Sequence, residues 1–464
     1  MTSRPAAGSV WHGRASHAAR SVTALFGRKL LFLPGTHLAA VAWNPEEPVQ
    51  PGPAWLHALR RLASGSALAH PWHYWWQAHY VDCLVDTGRR ELGSGATPAA
   101  RFNGPGNPSA GQLASRLVTG IRLRNAFTFV NNYYDDMAWL ALATLRLDAL
   151  AEETRKPGRR RNARVRETLV LQFDAASTDD LGGGVFWSKK RDFKNTPATA
   201  PVALFYARTG QRAKAQLLLD WLDRTLFDLE QRLYLDGARL DAAGNVTVDR
   251  AVYTYNQGPV LGALLELGGE ANLARAAELV DAVDRHLTVP AVGAGDTGPT
   301  VLRCDGTGDG GLFTGILCRY LALAATDGRL PEPARTTAAR LVTDTAQAFW
   351  DGRRTLDAGT PAGSHPGRSV FSIHAAQPAD HTYPPGAAVE LSTQLQAWMT
   401  LEAAAAITGS SRIPASGVTA PFFSDTCPPP AASRASFAPS GGNTSEVRVC
   451  RPPSTNTSTE DRST

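Results

Sequence analysis

The chain has 464 residues, 43% of them hydrophobic, and a formal net charge of +5. That is enough apolar surface for a large core, and too mild a positive charge for a dedicated nucleic-acid surface. Five cysteines in a chain this long make no disulfide framework, and no run of 18 apolar residues offers a membrane span.

In chain order, residues 1–20 are polar and read as a loose segment, and 14–90 read as helices joined by Pro and Gly turns. Arg28-Lys29 ahead of Leu30–Phe32, with Ala40-Val41-Ala42 beyond, has the outline of an export signal. Pro34, Gly35, Thr36 and His37 break its apolar stretch, so the expectation is a cytoplasmic protein, with secretion as the alternative. Residues 91–109 are a loop by composition. Helical periodicity then marks 111–125, 134–151, 162–175, 196–209, 212–230, 255–267, 270–287, 310–327, 334–350 and 388–408. Strand-like alternation is rare, and Arg239–Val252, with Gly244-Asn245 at its centre, reads as a short hairpin. From 409 to 464 Ser, Thr, Pro and Gly dominate, the composition of a disordered tail. Cys427 and Cys450 lie within it.

The helices differ in kind. In Met137–Leu150 only Thr144, Arg146 and Asp148 are polar, so that helix is enclosed on all sides. Gln211–Glu230 is amphipathic and belongs on the outside. An all-α domain over 21–408, with an inner and an outer layer of helical hairpins, accommodates both kinds.

The sharpest chemical feature is Asn131-Asn132-Tyr133-Tyr134-Asp135-Asp136, two acids opening an otherwise apolar helix. One reading is capping, with the carboxylates satisfying free N–H groups and facing the positive end of the helix dipole. The other is catalysis. Two carboxylates in an aromatic pocket repel, one keeps its proton, and a neutral acid beside an anion is what glycoside hydrolysis needs. Neighbours on a helix project about 100° apart, which puts the carboxylates roughly 5–7 Å from one another. Aromatic residues beside amides recur at 73–80, at Gly183–Trp187 and at Tyr253–Gly258, a composition suited to the apolar faces and hydroxyl rims of sugars. Cys304–Gly311 resembles the first half of an EF-hand loop, but Ile316 stands where the loop needs Glu, and no calcium is expected. His70, His73 and His79 lack an acidic partner at metal spacing.

These segments resemble glycoside hydrolase family 76, the α-1,6-mannanase family, in its actinobacterial branch. The resemblance is carried by HYWWQAHYVDCLVD (73–86), NNYYDDMAWLALATLRL (131–147), GGGVFWSKKRDFKNTPATAPVALFYARTG (182–210), TYNQGPVLGALLELG (254–268), DGGLFTGILCRYLALAA (309–325) and ELSTQLQAWMTLEAAAA (390–406). It implies an (α/α)6 barrel and a retaining mechanism on α-1,6-linked mannan or manno-oligosaccharides. Asp135 would be the nucleophile and Asp136 the acid/base. Tyr134, Trp187, Lys194, Asn195, Tyr255, Asn256, Gln257 and Asp309 would touch the substrate, and no cofactor is implied. Thr199 and Ala200 depart from the Asn and Gly that relatives often carry there. The competing readings are a mannan transglycosylase, a sugar isomerase or epimerase working with His, and a glycan-binding protein without turnover.

Overall fold

The computed structural model describes residues 7–45, 72–156, 159–240, 245–291, 299–356, 365 and 367–410. Among the described residues, twelve long helices alternate between an outer and an inner layer. They are α1 (Ala7–Phe26), α2 (Tyr74–Gly93), α3 (Ala110–Arg124), α4 (Tyr134–Glu153), α5 (Arg159–Ala176) and α6 (Thr196–Arg208), then α7 (Arg212–Thr225), α8 (Thr254–Leu267), α9 (Glu270–His286), α10 (Gly310–Thr326), α11 (Glu332–Asp351) and α12 (Leu391–Ser410). The six even-numbered helices pack in a closed ring, α2 on α4, α4 on α6 and so on round to α12 on α2. Each odd-numbered helix packs outside a neighbouring member of the ring. The architecture is an (α/α)6 barrel.

The sequence dictates which layer a helix joins. Every residue of α6 from Thr196 to Ala207 is buried, because it has apolar or small side chains all round. α7 buries only Ala215, Leu218, Leu219, Trp221 and Leu222, one stripe at helical spacing. The loose segment expected over 1–20 is a helix from Ala7 onward. Ala15, Ala18, Ala19, Val22, Leu25 and Phe26 form its buried stripe against α12, so the start of the described chain closes the barrel against its end. The stripe is built largely of alanine, and the polar residues around it hide it in composition. The Ala40–Ala42 stretch with the outline of a cleavage site runs into a two-residue strand, in which Ala42 and Trp43 pair with Glu390 and Val389 just ahead of α12.

The expected hairpin is present as Gly237–Leu240 paired with Val246–Asp249, and Lys194–Asn195 adds a third antiparallel strand on its other edge. Of the loop expected over 91–109, residues 91–93 are the last of α2, and the remainder contains a single 3-10 turn, Pro98–Ala100. The tail beyond Ser410, including Cys427 and Cys450, lies outside the described residues. So does His70. Among the described residues no helix is long and apolar enough to cross a membrane.

Far from the chain connections that form the cleft, the inner helices are tied by buried ions. Arg146 and Arg319 share Asp82 and Asp86, and Arg90 grips Glu402 through two nitrogens at 2.7 and 3.0 Å.

Candidate active site

The inner helices begin at one end of the barrel, and their first turns and the loops leading into them surround a cleft of about 860 Å³. α2, α4, α6, α8 and α10 contribute Trp75, Asp135 with Asp136, the capping Asn195, Tyr255 and Phe313 respectively. Converging N-termini bring the positive ends of their dipoles to the cleft, which favours anions there. Among the described residues, five aspartates (Asp135, Asp136, Asp236, Asp305 and Asp309) and no lysine or arginine line it.

Tyr133, in extended conformation, precedes α4 and makes no side-chain cap. The opening of α4 is held against the chain at 186–189 by Tyr134 N–H to Trp187 O at 2.8 Å and Lys189 N–H to Asn132 O at 2.9 Å. Asp135 and Asp136 follow, both half-buried. The amide of Asp136 donates to Asp135 Oδ1 at 2.9 Å, and the Trp187 indole donates to Asp135 Oδ2 at 3.0 Å. Asp136 Oδ2 accepts from Asn131 Nδ2 at 2.6 Å. Burial raises the pKa of Asp135 to about 7, opposed by those donors and reinforced by Asp309. Asp136 is pushed well above the ordinary carboxyl range by burial and by the charge of Asp135, with Asn131 opposing. Asp135, with two N–H donors on its carboxylate, therefore ionises before Asp136, and between the two ionisations the pair carries one negative charge. Part of the capping alternative is also present, since Asp135 does accept a first-turn amide.

Rings form two groups around the pair. Tyr133 and Trp187 lie with centroids 5.0 Å apart and Phe193 behind them. Tyr255 stacks on Phe313 at 3.7 Å with 12° between planes, and Trp75 and Tyr253 adjoin that stack. Asp309 does not cap α10 with its side chain. Its Oδ1 accepts the indole N–H groups of Trp75 and Trp76 at 3.0 and 2.8 Å.

Of the substrate contacts expected from sequence, Trp187, Asn195, Tyr255 and Asp309 line the cleft, although Asn195 also caps α6 through Ala198 N–H at 3.1 Å. Tyr134, Lys194, Asn256 and Gln257 do not line it. Tyr134 is the first residue of α4 and turns inward, leaving Tyr133 at the cleft. Gln257 is buried, with its amide bonded to Tyr234 N and O and to Tyr253 O. Lys194 is buried among backbone carbonyls. Asn256 sits one layer behind, donating to Asp236 Oδ1 at 3.3 Å.

Asp236 is the carboxylate that sequence reasoning missed. Burial raises its pKa to about 6, with Asn256 opposing. Its only sequence signal is an Asp-Gly step before the hairpin. Asp305 stands in the loop that resembles half an EF-hand, and there it accepts from the Thr254 amide at 3.3 Å and from the Thr254 hydroxyl, tying down the start of α8. His73 reaches the rim with φ +37° and stacks on Trp76 at 4.3 Å. His79 is buried between Trp75 and Trp139 instead of pairing with it.

An acid that holds its proton, next to one that ionises, in a cleft walled by rings and rimmed with hydroxyl acceptors, is the equipment of a glycoside hydrolase. The family comparison narrows this. The model described as glycosyl hydrolase family 76 matches residues 63–365, and the chain belongs to that family. Among solved structures, the family 76 α-1,6-mannanase of Salegentibacter sp. is similar at 25% identity and TM-score 0.63, over 86% of this chain and 99% of that one. An inactive variant of that enzyme with two Asp→Asn substitutions, in complex with α-1,6-mannotriose, is 24% identical with the same coverage and a TM-score of 0.63. A family 76 mannosidase from Bacteroides thetaiotaomicron is 15% identical at TM-score 0.58, over 86% of this chain and 98% of that one. No curated protein sequence matches the chain.

Proposed function

We propose that the protein hydrolyses α-1,6-mannosidic bonds in mannan or manno-oligosaccharides with retention of anomeric configuration. The observation that carries this reading is the unequal environment of the adjacent acids. Asp135 has two N–H donors on its carboxylate and ionises first, while Asp136 is held protonated. Asp135 attacks the anomeric carbon as Asp136 passes its proton to the departing glycosidic oxygen. Asp136, now anionic, takes a proton from the incoming water, which displaces Asp135 and restores both groups. Trp187 and the Asp136 amide fix the attacking carboxylate, and Asn131 fixes the acid. The two ring groups offer stacking surfaces for pyranose faces on either side of the scissile bond. The substrate class rests on the similarity to the Salegentibacter α-1,6-mannanase.

The test is product analysis after incubation with linear α-1,6-mannan, by mass spectrometry for chain length and by proton NMR for the first-formed anomer, with Asp135→Asn alongside. Short α-anomeric oligomers from the wild type alone support the reading. β-Anomers refute retention. Products longer than the starting chains point to transglycosylation through the same glycosyl-enzyme.

A further inference from the structure

Lysine is almost never fully buried without an ionic partner. Lys194 is 0% exposed, yet every hydrogen-bond partner of its Nζ is uncharged. The ammonium donates to the carbonyls of Thr178, Asp180 and Gly183, each at 2.7 Å, with Thr178 Oγ1 at 3.0 Å and the Gly184 carbonyl at 3.2 Å completing the cage. The Phe186 ring lies 4.6 Å from it. Burial draws its pKa down to about 8, with Asp180 opposing.

The cage gathers a stretch of backbone that has two turn bonds within it, Gly182 N–H to Asp179 O at 2.9 Å and Gly183 N–H to Asp180 O at 3.3 Å, with the Trp221 indole donating to Leu181 O from outside. Leu181, Gly182, Gly183 and Gly184 all have positive φ, and Gly183 and Gly184 approach the Trp221 ring too closely to admit a Cβ. Three residues beyond Gly184 stands Trp187, with its N–H on Phe193 O, its carbonyl on Tyr134 N–H and its indole on Asp135.

We infer that Lys194 is a positioning residue for the reaction, which by gathering the carbonyls of 178–184 sets the place of Trp187 and through it the orientation of the Asp135 carboxylate. This rests on Asp135 being the nucleophile. A buried cation whose hydrogen bonds all fall on one loop acts where that loop meets the cleft, and the indole is the group that the loop presents to an attacking oxygen.

The experiment is a double-mutant cycle on kcat and KM with an aryl α-mannoside, using Lys194→Met, Trp187→Phe and the pair. Phe retains the ring against Tyr133 and removes the N–H. Each single change is expected to lower kcat about 10- to 100-fold, the scale of a misplacement of about 1 Å, with KM changed far less. The double variant should be no slower than Trp187→Phe alone, because both changes release the same contact. Losses that multiply, or Lys194→Met with wild-type kcat and only a lower melting temperature, overturn the inference. If Lys194→Met does not fold, Lys194→Arg, which keeps the cation in an altered shape, takes its place in the cycle under the same criteria. Asp135→Asn runs in parallel. Turnover in that variant sinks the nucleophile assignment and this inference with it, whereas multiplying losses beside an inactive Asp135→Asn sink this inference alone.

Discussion

Replacing Asp135 by Asn should inactivate the enzyme and stabilise it above neutral pH. The native pKa of Asp135 is raised from 3.8 to about 7. Between those values the folded protein binds a proton that the unfolded chain has lost, so stability falls as pH rises through the window and stays lowered above it. At about 1.4 kcal/mol for each tenfold change in proton affinity, the upper bound is about 4 kcal/mol. The side chain borders an open cleft where solvent screens it, so roughly 2 kcal/mol is the working figure. Asn removes the penalty and also removes the charge that burdens Asp136. The expected result is a melting temperature higher by on the order of 3 °C at pH 8, with no gain at pH 4. Capping makes the opposite forecast. If Asp135 mainly satisfies the first-turn amide and faces the helix dipole, its loss destabilises by about 1 kcal/mol once the carboxylate is ionised. Calorimetry across pH 4–8, paired with turnover, separates the two. An inactive variant that melts lower at pH 8 would refute the electrostatic account.

Asp136→Asn should reduce kcat/KM on mannan about 10²- to 10⁴-fold and spare dinitrophenyl mannosides, whose leaving group needs no proton. Equal losses on both would remove the acid role. The pH–rate profile should rise with ionisation of Asp135, with an apparent pKa near the value of about 7, and fall at higher pH as Asp136 loses its proton. A flat profile across that range would contradict it. Gly184→Ala places a Cβ 2.6 Å from the Trp221 ring at φ +77°, so kcat should drop more than about tenfold. Gly182→Ala, with φ +74° and open space around it, should cost only about 1 kcal/mol of stability, read by thermal melts, and leave kcat in place. Glu402→Ala strands Arg90 among buried groups and should destabilise by about 3–5 kcal/mol in denaturant titration, with little effect on the kcat of the folded fraction.

Much of the barrel was legible because layer membership is a property of composition around a helix, and several inner helices show it alone, although α2, with Gln77, His79 and Asp82 buried, does not. α6 has no face that tolerates water and α7 has one. α1 escaped because small alanines make up half of its stripe and weigh little against Arg14, His17 and Arg20. The acid pair of the cleft was legible for a related reason, since two adjacent acids before Met137–Ala143 contradict their surroundings. What sequence does not carry is the direction in which a polar side chain spends its hydrogen bonds. Gln257 and Lys194 lie in the same motifs as Tyr255 and Asn195, but a side chain one or two positions away points behind the wall of the cleft. There it braces the loops that hold the wall. Asp236 is the converse case, an ordinary turn residue that pairing of Gly237 with Asn195 carries to the cleft. These motifs therefore mix residues that line the cleft with residues that brace its wall, and only the fold sorts one from the other. Lys194 is where a role of the second kind in rate is testable, because its ammonium lies behind the cleft wall, bonded to the loop that leads to the indole on Asp135.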